Sequence, residues 1–185
     1  MNGTLYLENT IKLAQYYKKL GNSTLEQLTE DDIHWTPGPT SNSIAIIVKH
    51  LWGNMLSRWT NFMTEDGEKT WRQRDEEFED DIQNMDELMS KWEEGWTCFL
   101  KALKSLRTED MDHVIYIRNE GHSVADAIQR QMAHYPMHIG QMIYIAKLLK
   151  GDDWQTLSIP KGQSQAYNEK KFSEEKEDRH FTDQV

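Results

Sequence analysis

Residues 124–150, VADAIQRQMAHYPMHIGQMIYIAKLLK, decide how the chain is read. Val124, Ile128, Met132, Tyr135, Ile139, Met142 and Ala146 recur at spacings of three and four, which places them on one face of an α-helix. Ser123, with Asp126 three residues on, resembles a capping box that opens the helix, and Gly151 closes it. A helix of this length with one apolar stripe buries that stripe only against other elements.

Three more segments carry the same pattern. Residues 5–20 place Leu7, Ile11, Ala14 and Tyr17 on one face; Gly21 is read as their stop, with Lys18 and Lys19 in the last turn, where the helix dipole favours cations. Residues 44–63 follow the N-cap candidates Ser41, Asn42 and Ser43, with Ile44, Ile47, Val48, Leu51, Met55, Trp59 and Phe62 as their stripe. Residues 85–106 present Leu88, Trp92, Trp96 or Phe99, and Leu103. Four long amphipathic segments predict an all-α fold, a four-helix bundle. One interruption stands before the last helix: in residues 109–120, EDMDHVIYIRNE, the β-branched and aromatic run at 114–117 suits an extended segment or small hairpin. Pro37, Gly38 and Pro39 mark a loop. Asp75, Glu76, Glu77, Glu79, Asp80 and Asp81 form an acidic run that reads as a solvated loop. The expected organisation is one domain over residues 1–170 and a polar C-terminal tail at 171–185.

Composition sets limits on function. The chain has 185 residues and a formal charge of −10, so it lacks the basic excess that binding a phosphate backbone needs, and no nucleic-acid partner is expected. Leu, Ile, Val and Phe make up only a fifth of the residues, near the border where charged chains stay unfolded. Seven Trp, seven Tyr and nine Met offset this and point to an aromatic, Met-rich core. No apolar run approaches the ~18 residues of a membrane span, so no membrane partner is expected. MNGTLYLENT has neither the basic nor the apolar region of a secretory signal, and the expected compartment is the cytoplasm. The single Cys98 forms no internal disulfide and no thiolate cage.

That leaves imidazole and carboxylate as metal ligands. His134 and His138 stand four apart in the last helix and share a face beside its buried edge. His50 lies midway along the second helix, flanking the Ile47–Leu51 side, so three imidazoles from two helices can meet inside one end of the bundle. Three protein ligands leave coordination positions open, as in catalytic metal sites. Read alone, the H-x-x-x-H pair is equally compatible with two ordinary half-buried histidines. Pro136 between them costs roughly 3 kcal/mol in an ordinary helix interior, which signals either a local geometric demand or a plain bend in the core. Tyr135 after the first histidine excludes the zincin motif, which needs Glu there. Paired Glu-x-x-His helices of the ferritin type are also missing.

HLWGNMLSRW (residues 50–59) and RQMAHYPMHIGQM (residues 130–142) resemble the DinB/YfiT-like superfamily of bacterial four-helix metal-binding proteins. SNSIAIIVKHLWGNMLSRWTNFMTEDGEKTWRQRDEEFE and LSIPKGQSQAYN resemble one branch of it, a domain of unknown function, and the likeness spans residues 1 to about 170. The resemblance implies a divalent metal ion on His50, His134 and His138, with Zn or Ni foremost and Fe, Mn or Co within the same donor set. It implies a homodimer. It also implies a metal-dependent enzyme acting on small molecules, in the manner of bacillithiol-type S-transferases that present a thiolate to an electrophile. A metal-dependent hydrolase and a non-catalytic dimeric metal-binding module are the alternatives.

Other residues have plainer readings. Tyr135 and Gln141 are either contacts behind the ligands or polar positions of a bundle. Arg58, Arg72 and Arg74 either grip an acidic thiol or neutralise the acidic run, the second being favoured. Cys98, the Trp pairs 52/59 and 92/96, His34, Trp35 and His122 are read as structural.

Overall fold

A computed structural model describes residues 3–184. The chain is mostly helical. Helix α1 spans Gly3–Leu25, α2 Ile44–Trp59, α3 Met85–Ser105, α4 Val124–Lys150 and the short α5 Ser164–Ser173. A two-stranded antiparallel hairpin, β1 Val114–Ile117 and β2 Glu120–Ser123, precedes α4 in register Val114–Ser123 to Ile117–Glu120. The all-α expectation and the insertion before the last long helix both hold. Among the described residues, no helix is long and apolar enough to cross a membrane.

The helices begin where their capping chemistry says they should. Ser43 Oγ accepts from the amide of Ile46, Asn84 Oδ1 from Glu87 and Ser123 Oγ from Asp126, each satisfying an amide that the first helical turn leaves unbonded. Their ends depart from expectation twice. Helix α2 stops at Trp59, not at 63, because Thr60 is extended and Asn61 takes a left-handed backbone, φ 48°. Helix α1 runs through Gly21 to Leu25. Gly21 is not a stop but a point of close approach: a Cβ there would run into the six-membered ring of Trp92.

Helix α2 packs on α3 and α4, and α1 packs on the same two. The interior between them is aromatic. Trp59 and Phe99 lie 5.0 Å apart, Phe99 and Tyr135 5.1 Å, and Trp92 and Trp96 5.5 Å, in tilted or edge-to-face pairs. Met55, Met142, Ile139 and Leu103 fill the space around them. Two of the polar side chains carried into this core satisfy each other and a third: Trp59 Nε1 donates to Tyr135 Oη at 3.0 Å, and Tyr135 donates to Asn54 Oδ1 at 3.1 Å, whereas the buried Trp96 Nε1 has no partner among the described residues. The chain end folds back on α1 through Lys12–Asp183 and through Tyr16 against Phe181.

The hairpin is tied to the loop after α2. Its turn residues Arg118 and Asn119 are both left-handed, with φ 57° and 62°, and their amides donate to the two oxygens of Asp66. The amide of Gly67 donates to the carbonyl of Tyr116 at 2.8 Å. Asp66 thereby fixes where Arg118 points.

Two outcomes follow. Gly→Ala inside a helix ordinarily gains about 1 kcal/mol. At position 21 the ring of Trp92, held through its Nε1 on Asn22, blocks the methyl. Gly21→Ala therefore lowers stability by about 1–2 kcal/mol in denaturant unfolding, and an increase would refute the packing. Burial raises the Asp66 carboxyl, but the amides of Asn119, Glu68 and Arg118 outweigh it and hold the group below its usual range. Its charge therefore stabilises the fold above the usual carboxylate range, and that contribution disappears as pH falls through the depressed native value. Asp66→Asn is expected to flatten the acid limb of a melting-temperature profile.

Candidate metal centre

His50 sits on the α2 face that meets α4, and His134 and His138 lie one turn apart on α4. His50 is 6 % exposed, His138 9 % exposed and His134 half-buried. The three rings meet at their Nε2 atoms: His134 Nε2 lies 3.3 Å from His50 Nε2 and 3.0 Å from His138 Nε2. The structure thus brings together all three residues singled out in the sequence, and they form a group able to hold a metal ion.

The outer nitrogens decide what the inner ones offer. His50 Nδ1 is 2.9 Å from Glu77 Oε2, His138 Nδ1 is 2.8 Å from Gln141 Oε1 and His134 Nδ1 is 3.3 Å from Gln131 Oε1. Each partner is an acceptor, so each assigns the ring proton to Nδ1 and leaves the Nε2 lone pair facing its neighbours. Burial, reinforced by the charges of His138 and His50, pushes His134 down to about 3. Burial also lowers His138. At neutral pH these two imidazoles are uncharged acceptors pointed at one place with no proton between them. Nitrogen separations of 3.0 and 3.3 Å suit adjacent ligands with metal–nitrogen bonds of about 2.0–2.1 Å. The residues present therefore fit a late first-row divalent ion.

Glu77 is the functional residue that sequence reasoning missed. It is 4 % exposed, in a single 3-10 turn, Asp75–Phe78, which lies against α2. Its carboxylate takes Arg72 through both oxygens, Nε–Oε1 2.6 Å and Nη2–Oε2 2.8 Å, besides His50. Burial works against its charge, yet the bonds from Arg72 and His50 hold it below its usual range. Gly53, on the facing turn of α2, leaves the room: a Cβ there would strike the carboxylate. The acidic run is exposed at Asp75, Glu76, Glu79, Asp80 and Asp81, as a solvated segment would be, but it is not a free loop. Glu77 engages His50, Asp80 engages Ser43 and His34, and Asp81 engages Lys49, so the run is strapped along α2. The usable signals were the arginines of WRQRD just before the run and the apolar Phe78 inside it; Phe78 stacks on His50 at 5.2 Å.

Of the other candidates, Gln141 backs a ligand, whereas Tyr135 is fully buried between Trp59 and Asn54 and does not itself line the cavity. Cys98 is a half-buried thiol against Thr60 and the carbonyl of Met55, and burial raises it above the ordinary thiol range. His34 and His122 pair with Asp80 and Asp126.

The imidazoles open onto a cavity of about 380 Å³, also walled by Arg58, Arg72, Arg74, Arg118 and Arg130. Of the three arginines expected to neutralise the acidic run, only Arg72 reaches it, at Glu77; Arg58 pairs with Glu68 outside the run, Arg74 makes no ion pair among the described residues, and all three face the cavity. A larger hollow of about 460 Å³, bordered by Ser23, Glu26, Lys150 and Asp153, gathers no imidazole. The three imidazoles line only the smaller of these two hollows.

Glu77→Gln would leave Arg72, whose side chain is 2 % exposed, facing a neutral amide. Breaking a buried pair from one side costs about 3–5 kcal/mol. A loss under 1 kcal/mol in urea unfolding would show that the pair is not closed in solution.

Against known proteins, a family model described as Protein of unknown function (DUF1572) matches residues 1–163. No curated protein and no solved structure matches the chain.

Proposed function

The chain belongs to the DUF1572 family of proteins of unknown function, and we propose that it is a DinB-like four-helix bundle that carries one divalent metal ion on His50, His134 and His138 and uses it in an enzymatic reaction on a small molecule. One observation supports this above the rest: three buried or half-buried imidazoles aim Nε2 lone pairs at a single point while their Nδ1 atoms are engaged elsewhere. Three protein ligands leave positions for a substrate. Zn and Ni lead the candidates, with Fe, Mn and Co admitted by the same donors.

The ion would supply a lowered pKa to a thiol or water placed on it. The chain's own residues do the rest. Glu77 holds the proton of His50 at Nδ1, and Gln131 and Gln141 do so for His134 and His138, which fixes the tautomer and orientation of each ring. The arginines receive the substrate. Transfer of a small thiol, of the bacillithiol type, to an electrophile is favoured over hydrolysis for one reason. A hydrolase that activates its water through a carboxylate base needs that base beside the water; Glu77 is tied to Arg72 and His50, and among the described residues no carboxylate lines the cavity. The reading includes one domain over residues 1–170, a homodimer and a cytoplasmic setting. Exposed Met137, Tyr144 and Leu148 form an apolar stripe on α4 that suits a second copy.

Elemental analysis of the purified protein is expected to give one divalent ion per chain. His134→Ala and His138→Ala should each lose it, and chelation should lower the melting temperature of the wild type only, since a ligand held at 1,000 times its Kd adds about 4 kcal/mol. Conjugation of a monochlorobimane-type electrophile with several small thiols then reads the reaction. Protein that stays metal-free in Zn or Ni at neutral pH overturns the metal reading. Metal binding without turnover leaves the non-catalytic module.

A further inference from the structure

We propose that the cavity in front of the imidazoles binds a small molecule bearing two or more oxyanion groups, carboxylate or phosphate, and that Arg74 and Arg130 grip it. The inference specifies the substrate class for the site proposed above and rests on reading that cavity as the substrate site, although the grip itself does not depend on the metal.

The charge distribution carries the argument. The chain has a formal charge of −10 and only seven arginines, and five of the seven wall this one cavity. Among the described residues no Asp, Glu or Lys joins them in the lining. Gathering like charges around a hollow is costly unless something neutralises them. Protein carboxylates do so only in part. Glu68 alone receives Arg58 at 3.0 Å, Arg72 at 3.4 Å and Arg118 at 3.1 Å. Glu77 takes the second edge of Arg72. Arg74 and Arg130 make no ion pair among the described residues.

Those two are placed for a ligand rather than for the fold. Arg130 lies one helical turn before His134 on α4, so it stands on the same face as a candidate ligand. Arg74 comes from the other wall, where its guanidinium lies 5.2 Å over the ring of Phe78, itself stacked on His50. The Phe78 face orients Arg74 without using its N–H donors. Arginine is also the side chain whose fork matches a planar carboxylate or a phosphate edge through two bonds at once. Two free forks on separate elements call for two acceptor groups. A cavity of about 380 Å³ sets the ligand at small-molecule size.

Calorimetric titration of chelator-treated wild type with succinate, inorganic phosphate and neutral succinamide tests this. Binding is expected for one or both anions and not for succinamide. Arg74→Gln and Arg130→Gln, both at exposed positions, should each weaken it at least tenfold and the double variant should abolish it, while Arg179→Gln in the distant tail should leave it unchanged. A melting curve for each variant separates lost binding from lost fold. Preference for succinate assigns carboxylates, and preference for phosphate assigns a phosphorylated ligand. Affinity for neither anion, or equal affinity in the double variant, overturns the inference. The outcome is independent of the metal reading: anion binding by a protein that never takes up Ni or Zn leaves this inference standing and removes the other, and metal uptake without arginine-dependent anion binding does the reverse.

Discussion

The site is organised around one buried carboxylate. Glu77 cannot keep its charge in an apolar interior without partners, and it has two, Arg72 and His50. Three consequences radiate from it. Position 53 has to be glycine, because the carboxylate occupies the space of a Cβ. His50 carries its proton on Nδ1 and offers Nε2 to His134. The acidic segment is pulled down onto α2, which brings Phe78 against His50 and Arg74 to the cavity rim. Helices α2 and α4 set the distance between the imidazoles, while Glu77 sets what the first of them can do.

Much of the frame was legible in the sequence, because helical periodicity is a local property. The stripes of α2, α3 and α4 and the cap at Ser123 follow from local pattern, and the cap of α2 is one of the three candidates at 41–43. The three histidines were legible for the same reason: His134 and His138 share a face by arithmetic, and His50 flanks a buried edge. What failed depends on contacts between segments remote in sequence. Gly21 looks like a stop until Trp92, from another helix, is seen to occupy its missing side chain. Glu77 looks like one more solvated acid until Arg72 and His50 close around it. Charge counts average over a segment, but burial acts on single residues, so one carboxylate in a run of six can be structural.

The same averaging hides the arginines. A charge of −10 describes the chain as a whole and says nothing of how the cations are distributed. The fold concentrates five arginines in one hollow and leaves much of the acidity outside it. Arg118 gets there only because Asp66 catches the hairpin turn, a contact spanning some fifty residues of sequence. An acidic exterior around a cationic cavity also shapes the approach of a charged ligand, since a low-dielectric cleft focuses the field of its walls.

The strap over residues 72–81 also divides the molecule into parts of unequal durability. Helices α2, α3 and α4 are joined by buried Trp, Phe and Ile, an attraction that added salt does not screen. The strap is held to α2 chiefly by Lys49–Asp81, Ser43–Asp80 and the Arg72–Glu77–His50 set, contacts rich in charge. Its amides are therefore placed to exchange with solvent by local opening, at a smaller free energy than global unfolding demands. The wall that carries Phe78 and Arg74 thus belongs to a segment outside the apolar core, whereas the helices that carry the imidazoles are built into it.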